Sequence, residues 1–81
     1  MKIDIYISDK NSNKFISVES GFDVKSIQVP DPDYQDISIY KKGLEIIAGE
    51  PKIAFDSDKA IEAIKKQSYY LHGVAIKVTE S

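Results

Sequence analysis

The sequence contains no cysteine and no arginine, and its longest purely apolar runs are only a few residues. Without cysteine the chain can form neither a disulfide nor a thiolate metal site. The apolar runs are far shorter than the roughly 20 residues that a membrane-spanning helix needs. Lys2 leads directly into Ile3-Asp4-Ile5, so the apolar stretch of a signal peptide is missing as well. We therefore expect a cytoplasmic protein that has no membrane contact.

The absence of arginine also bears on nucleic acids. All 11 basic residues are lysine, and 13 acidic residues bring the formal net charge to −2. Arginine is the side chain best suited to bidentate binding of phosphate and guanine, so the composition argues against a dedicated DNA or RNA binder. The abundance of lysine and isoleucine is typical of an AT-rich genome, such as that of a low-GC bacterium or its phage.

The length and hydrophobic content predict one small folded domain. The chain has 81 residues, of which 42% are hydrophobic, so a disordered polypeptide is excluded. We expect a single domain over 1–81, close to the lower size limit for a self-sufficient core. Domains this small often gain stability by oligomerising, and we expect a homodimer or a higher oligomer.

The clearest pattern lies in the last third of the chain. Apolar residues recur at helical spacing from Ala60 to Leu71, which predicts an amphipathic helix over 57–72. Asp56 or Ser57 can cap its first turn, and Gly73 is suited to end it. After Gly73, apolar residues alternate with others, which predicts a C-terminal strand over 74–79.

The residues before this helix predict short antiparallel strands. Turn-forming residues recur every eight to twelve residues and separate alternating segments. The predicted strands are 1–8 and 15–19, which form a hairpin, then 24–29, 36–40, 44–48 and 52–55. Lys41-Lys42-Gly43 is predicted to be the loop of a second hairpin, between 36–40 and 44–48. The fold class is therefore α+β, with an antiparallel sheet or small open barrel of about five to six short strands and one helix.

No segment carries a recognisable catalytic or metal motif. His72 is the only histidine, and a structural place at the helix end accounts for it better than catalysis does. The segment Asp31 to Asp36 superficially resembles a calcium loop, but Asp36 stands where the sharp-turn glycine is needed and Lys42 where a glutamate is needed. We expect no catalytic residue, no metal site and no cofactor.

Tyrosines provide the strongest surface signal. In the predicted helix, Tyr70 points away from the apolar stripe, near Lys66, and Tyr69 falls on the flank. Tyrosine is enriched at protein interfaces because it buries a large area with little loss of rotamer entropy. The loop over 30–35, which Pro30 and Pro32 stiffen, is called the proline loop and offers a second contact surface. The predicted interaction residues are Tyr69, Tyr70, Lys66, Tyr34, Asp33 and Asp31.

We therefore predict a small non-enzymatic binding module that acts through protein–protein contacts, such as an accessory or inhibitor protein of a phage or mobile element. One alternative is an oligomeric protein that sequesters a small molecule or nucleotide through Tyr69, Tyr70, Lys65, Lys66 and His72. A second alternative is a small hydrolase that uses carboxylates such as Asp31, Asp33 or Asp56. Paired acids catalyse only when their environments separate their pKa values, and that depends on tertiary structure.

Overall fold

The computed structural model describes residues 1–49 and 56–73 of the chain. In chain order its elements are β1 (Lys2–Ser8), β2 (Phe15–Glu19), a 3-10 turn (Val24–Ser26), a second 3-10 turn (Pro32–Tyr34), β3 (Ile37–Glu45), α1 (Ser57–Gln67) and β4 (Tyr69–His72). The four strands form one open antiparallel sheet in the order β3-β1-β2-β4, and the helix packs on it. The α+β fold class predicted from the sequence is confirmed.

The first hairpin is also confirmed. β1 and β2 pair in an antiparallel register that sets Ile5 opposite Ser17. Phe15 and Ser17 are buried on one face of β2, and Ile16 and Val18 are buried on the other. The side chains of β2 are therefore buried on both faces of the sheet. The backbone of β2 is paired along both edges, with β1 and with β4.

The predicted second hairpin is wrong. The residues 37–45 form one continuous strand that pairs with β1, and Lys41-Lys42-Gly43 lies within it. Ile3 pairs with Leu44 and Ile5 with Lys41, so two residues of β3 lie opposite Asp4 alone. Gly43 has a φ of +69° and its amide binds the Asp4 carboxylate. The glycine therefore forms a bulge, which is another common use of a glycine with positive φ.

The predicted strand over 24–29 is wrong as well. Val24–Ser26 is a 3-10 turn, and the side chain of Asp23 accepts a hydrogen bond from the backbone amide of Lys25. Such a local side-chain bond competes with strand pairing, which explains the turn. The predicted proline loop is present, and Pro32–Tyr34 within it forms a similar turn capped by Asp31.

The helix begins where the sequence predicts and ends earlier. Asp56 caps it by accepting a hydrogen bond from the backbone amide of Lys59. The helix ends at Gln67, because Ser68 adopts a left-handed conformation with φ of 79°. The prediction of a helix over 57–72 that ends at Gly73 is therefore wrong in its last turn. A strand does follow the helix, but within the described residues that strand is β4.

The core lies between the sheet and the helix. Its buried members are Ile3, Ile5, Phe15, Ile46, Ala60 and Ile64. Tyr70 packs against this cluster from β4, and Ile61 packs against it from the helix. The predicted strands over 52–55 and 74–79 fall outside the described residues. Among the residues that are described, no helix is long and apolar enough to cross a bilayer.

Candidate functional site

β4 brings the two adjacent tyrosines onto opposite faces of the sheet. Tyr70 pairs with Ser17 and Tyr69 with Val18 on the neighbouring strand. Side chains alternate along a strand, so Tyr70 lies on the helix-facing side and Tyr69 on the other. β4 is an edge of the sheet within the described part of the chain.

The predicted outward orientation of Tyr70 is wrong. Its ring packs against the core cluster and stacks on the ring of His72, with centroids 5.2 Å apart. Burial raises the pKa of the Tyr70 hydroxyl above its usual value, and the nearby charge of Asp56 raises it further. The physical reason for the error is the change from helix to strand at Ser68, which resets the direction of every following side chain.

A cleft runs along the outer side of α1 beside β4. It is open to solvent, has a volume of about 530 Å³, and is lined by Lys59, Glu62, Ala63, Lys66, Gln67, Tyr69, Tyr70 and Leu71. We call this the α1–β4 cleft. Because β4 is the last strand of the described sheet, residues from both of its faces border the cleft. The cleft thus gathers three of the predicted interaction residues: Tyr69, Tyr70 and Lys66. Leu71, which remains 37% exposed, adds an apolar contact that the helical prediction had assigned to the core stripe.

The rim of the cleft carries more positive than negative charge. Lys59 and Lys66 flank Glu62 along the helix, and all three side chains are exposed. Neither lysine forms an ion pair with any residue that the structure describes. At the strand end of the cleft, the side-chain amide of Gln67 donates a hydrogen bond to the Tyr69 carbonyl oxygen at 3.2 Å. The cleft thus combines aromatic, apolar and cationic groups.

Two residues of the predicted ligand site lie outside this cleft: Lys65 and His72 do not line it. The ring of His72 stacks on Phe15 at 5.6 Å, and its Nε2 lies 2.7 Å from the Ser17 hydroxyl oxygen. A hydroxyl and an imidazole at this distance have the spacing of a nucleophile and its base. Ser17 is fully buried, however, so a substrate cannot reach its hydroxyl. The contact therefore fixes β4 on β2.

The proline loop forms a separate surface. Lys14 forms ion pairs with the carboxylates of both Asp31 and Asp33, the second at 3.1 Å. Hydrogen bonds to these carboxylates raise the pKa of Lys14, and the bond from Lys14 lowers the pKa of Asp31. Tyr34 donates to the Phe15 carbonyl oxygen at 3.4 Å. The residues predicted for interaction here thus also tie the loop to the start of β2.

Two acidic residues at the start of α1 have structural hydrogen bonds. Asp56 is the helix cap, and Asp58 accepts a hydrogen bond from the backbone amide of Gly49 at 2.8 Å. Over residues 1–49 and 56–73, no group of three or more His, Asp or Glu side chains is placed to hold a metal ion.

Lys59, Gln67 and Leu71 line the cleft and were not among the predicted interaction residues. These three residues could have been predicted only if Tyr69–His72 had been recognised as a strand, because a strand beside the helix creates the cleft. Aromatic residues favour strands, but the helical spacing of the preceding apolar residues predicted a helix through this segment.

The chain was compared with protein-family models, curated proteins and solved structures, and none of the three comparisons gave a match.

Proposed function

We propose that this protein is a non-enzymatic binding module and that the α1–β4 cleft is its contact surface for another protein. The observation that carries the proposal is the convergence of Tyr69, Tyr70 and Leu71 in one open cleft with two lysines that form no ion pair within residues 1–49 and 56–73. Interfaces are enriched in aromatic side chains at their centre and have a polar rim, and the cleft combines these features.

The shape of the cleft supports a protein partner over a small molecule. Small-molecule sites usually enclose most of the ligand surface, whereas the α1–β4 cleft is open. The small-molecule alternative keeps Tyr69, Tyr70 and Lys66 in a common site, but Lys65 and His72 lie outside it. An open cleft beside an edge strand suits a polypeptide segment better.

The acidic residues considered for hydrolysis have structural partners, which also supports a binding role. Asp31 and Asp33 are paired with Lys14, and Asp56 caps the helix. A module of this kind, acting in the cytoplasm, suits an accessory or inhibitor protein of a phage or mobile element. Association of two copies stays a separate prediction that sedimentation across a concentration range tests.

A random-peptide library displayed on phage tests the proposed surface. We expect enriched peptides to bind the wild-type protein and to bind the Leu71→Ala variant several-fold more weakly, because truncation removes exposed apolar contact area. Ile39→Ala is the matched control. Ile39 is also an exposed apolar residue on an edge strand, at 52% exposure, but it lies on β3, away from the cleft. Peptide binding that is equally sensitive to both variants, or to neither, would contradict the proposal.

A further inference from the structure

We infer that the segment that occupies the α1–β4 cleft is an extended, acidic stretch of the partner protein. This inference rests on the proposed function and adds the chemistry of the partner. It is carried by the charge of the cleft rim and by the spacing of its two lysines.

The charge of the rim is local and contrasts with the rest of the molecule. Lys59 and Lys66 contribute two positive charges and Glu62 one negative charge, whereas the whole chain has a formal net charge of −2. In and beside the turn between β1 and β2, Lys10 and Lys14 are instead paired with aspartates. A negatively charged segment is therefore attracted to the cleft and repelled by much of the remaining surface.

The position of Lys59 supports a binding role for its charge. It lies in the first turn of α1, where the positive end of the helix dipole disfavours a cation. Lys66 lies in the last turn, where the dipole favours one, so helix stability accounts for Lys66 but not for Lys59. Asp56 and Asp58 already supply the negative charge that the helix N-terminus favours, so a partner carboxylate would act by pairing with Lys59 directly.

The spacing of the lysines fits an extended chain. They are seven residues apart, which corresponds to about 10.5 Å along the helix axis at ~1.5 Å per residue. An extended segment covers the same distance in about three residues at ~3.3 Å each. Residues on one side of such a segment are two or four positions apart, and the long lysine side chains can reach either spacing. The segment can therefore place acidic residues near both lysines and an apolar residue against Leu71. The open form of the cleft admits a chain that runs parallel to α1.

The same random-peptide library tests the inference. The enriched peptides are sequenced, and their binding to charge variants of the protein is measured. We expect the enriched peptides to carry acidic residues two or four positions apart, because side chains alternate along an extended chain. Lys59→Glu and Lys66→Glu should each weaken binding by about threefold to tenfold, as expected for a lost and reversed surface ion pair. Glu62→Gln should strengthen binding, because it removes the negative charge between the lysines.

Lys65→Glu is the matched control, because Lys65 neighbours Lys66, has the same charge and is exposed but does not line the cleft. It should change affinity by less than about twofold, since solvent screens charges outside the contact. Raising the salt concentration should weaken binding to the wild type and leave the residual binding of Lys66→Glu nearly unchanged.

The outcomes separate the inference from the proposed function. Neutral or basic peptides that depend on Leu71 but not on Lys66 would overturn the acidic partner and leave the binding surface in place. Absence of any peptide whose binding depends on Leu71 would overturn both. A dimer of the protein that dissociates on Leu71→Ala substitution would identify a second copy as the occupant and would overturn the acidic segment.

Discussion

Asp4 and Gly43 are joined across two strands: Oδ1 of the Asp4 carboxylate accepts a hydrogen bond from the Gly43 amide at 2.9 Å. The same carboxylate accepts hydrogen bonds from the Ser20 hydroxyl at 2.8 Å and the Gly21 amide at 3.4 Å. The Asp4 side chain is buried, with 3% exposure. One carboxylate thus holds together β1, the end of β2 and the bulge in β3.

The environment of Asp4 favours its charged form. Burial by itself raises the pKa of Asp4, but hydrogen bonds from Gly43, Ser20 and Gly21 and the charge of Lys42 outweigh it. The net result is a pKa below the usual value. A carboxyl group whose pKa is lower in the folded than in the unfolded state stabilises the fold above its unfolded pKa. That contribution is lost as the pH falls through the folded pKa.

Asp4→Asn should lower the free energy of unfolding at neutral pH by about 1–3 kcal/mol, because buried amide and hydroxyl donors lose their charged acceptor. The difference from wild type should shrink as the pH falls below about 4, the ordinary pKa of aspartate. Urea unfolding at several pH values measures both effects. Asp23→Asn is the control, since Asp23 is exposed and bonds only locally. A loss of stability that is the same at every pH would contradict the assigned role of the charge.

Gly43→Ala should lower stability by about 1 kcal/mol, because a side chain disfavours the left-handed conformation that the bulge requires. An added Cβ would meet no atom within 4 Å, so the cost comes from the backbone and not from a clash. Gly43→Asn should cost less, because asparagine tolerates this conformation better. Thermal unfolding followed by circular dichroism ranks the three proteins. Equal stability of alanine and glycine at this position would argue against the bulge.

Tyr70→Ala should lower stability by about 2 kcal/mol, because the ring packs against the core cluster and against His72. Leu71→Ala should cost less than about 1 kcal/mol, because its side chain is 37% exposed. Chemical unfolding of the two variants measures the contrast. The reverse order would indicate that residues 69–72 are helical after all. The contrast also justifies Leu71, not Tyr70, as the site for binding tests.

Several local features could be read from the sequence because neighbouring residues determine them. The β1–β2 hairpin follows from alternating apolar residues on both sides of a polar turn. The helix start follows from Asp56, whose side chain reaches an amide three residues away. These contacts depend on short stretches of chain, so composition and spacing are sufficient to predict them.

Other features depended on residues far apart in the chain. The Asp4 carboxylate accepts a hydrogen bond from the Gly43 amide, 39 positions away. This contact stabilises a bulge where the sequence pattern predicts a hairpin loop. Ser17 and His72, 55 positions apart, meet where β4 pairs with β2. The sequence pattern around Tyr69 and Tyr70 is compatible with both helix and strand, and only this pairing selects the strand.

The sequence by itself determined the α+β class, the first hairpin, the helix start and the presence of tyrosines near the helix's lysines. Only the tertiary structure decided where the helix ends, which face Tyr70 occupies and which residues line the α1–β4 cleft. The physical reason is that strand pairing depends on the partner strand, which is distant in sequence. A one-residue change in where a strand begins moves every following side chain to the opposite face.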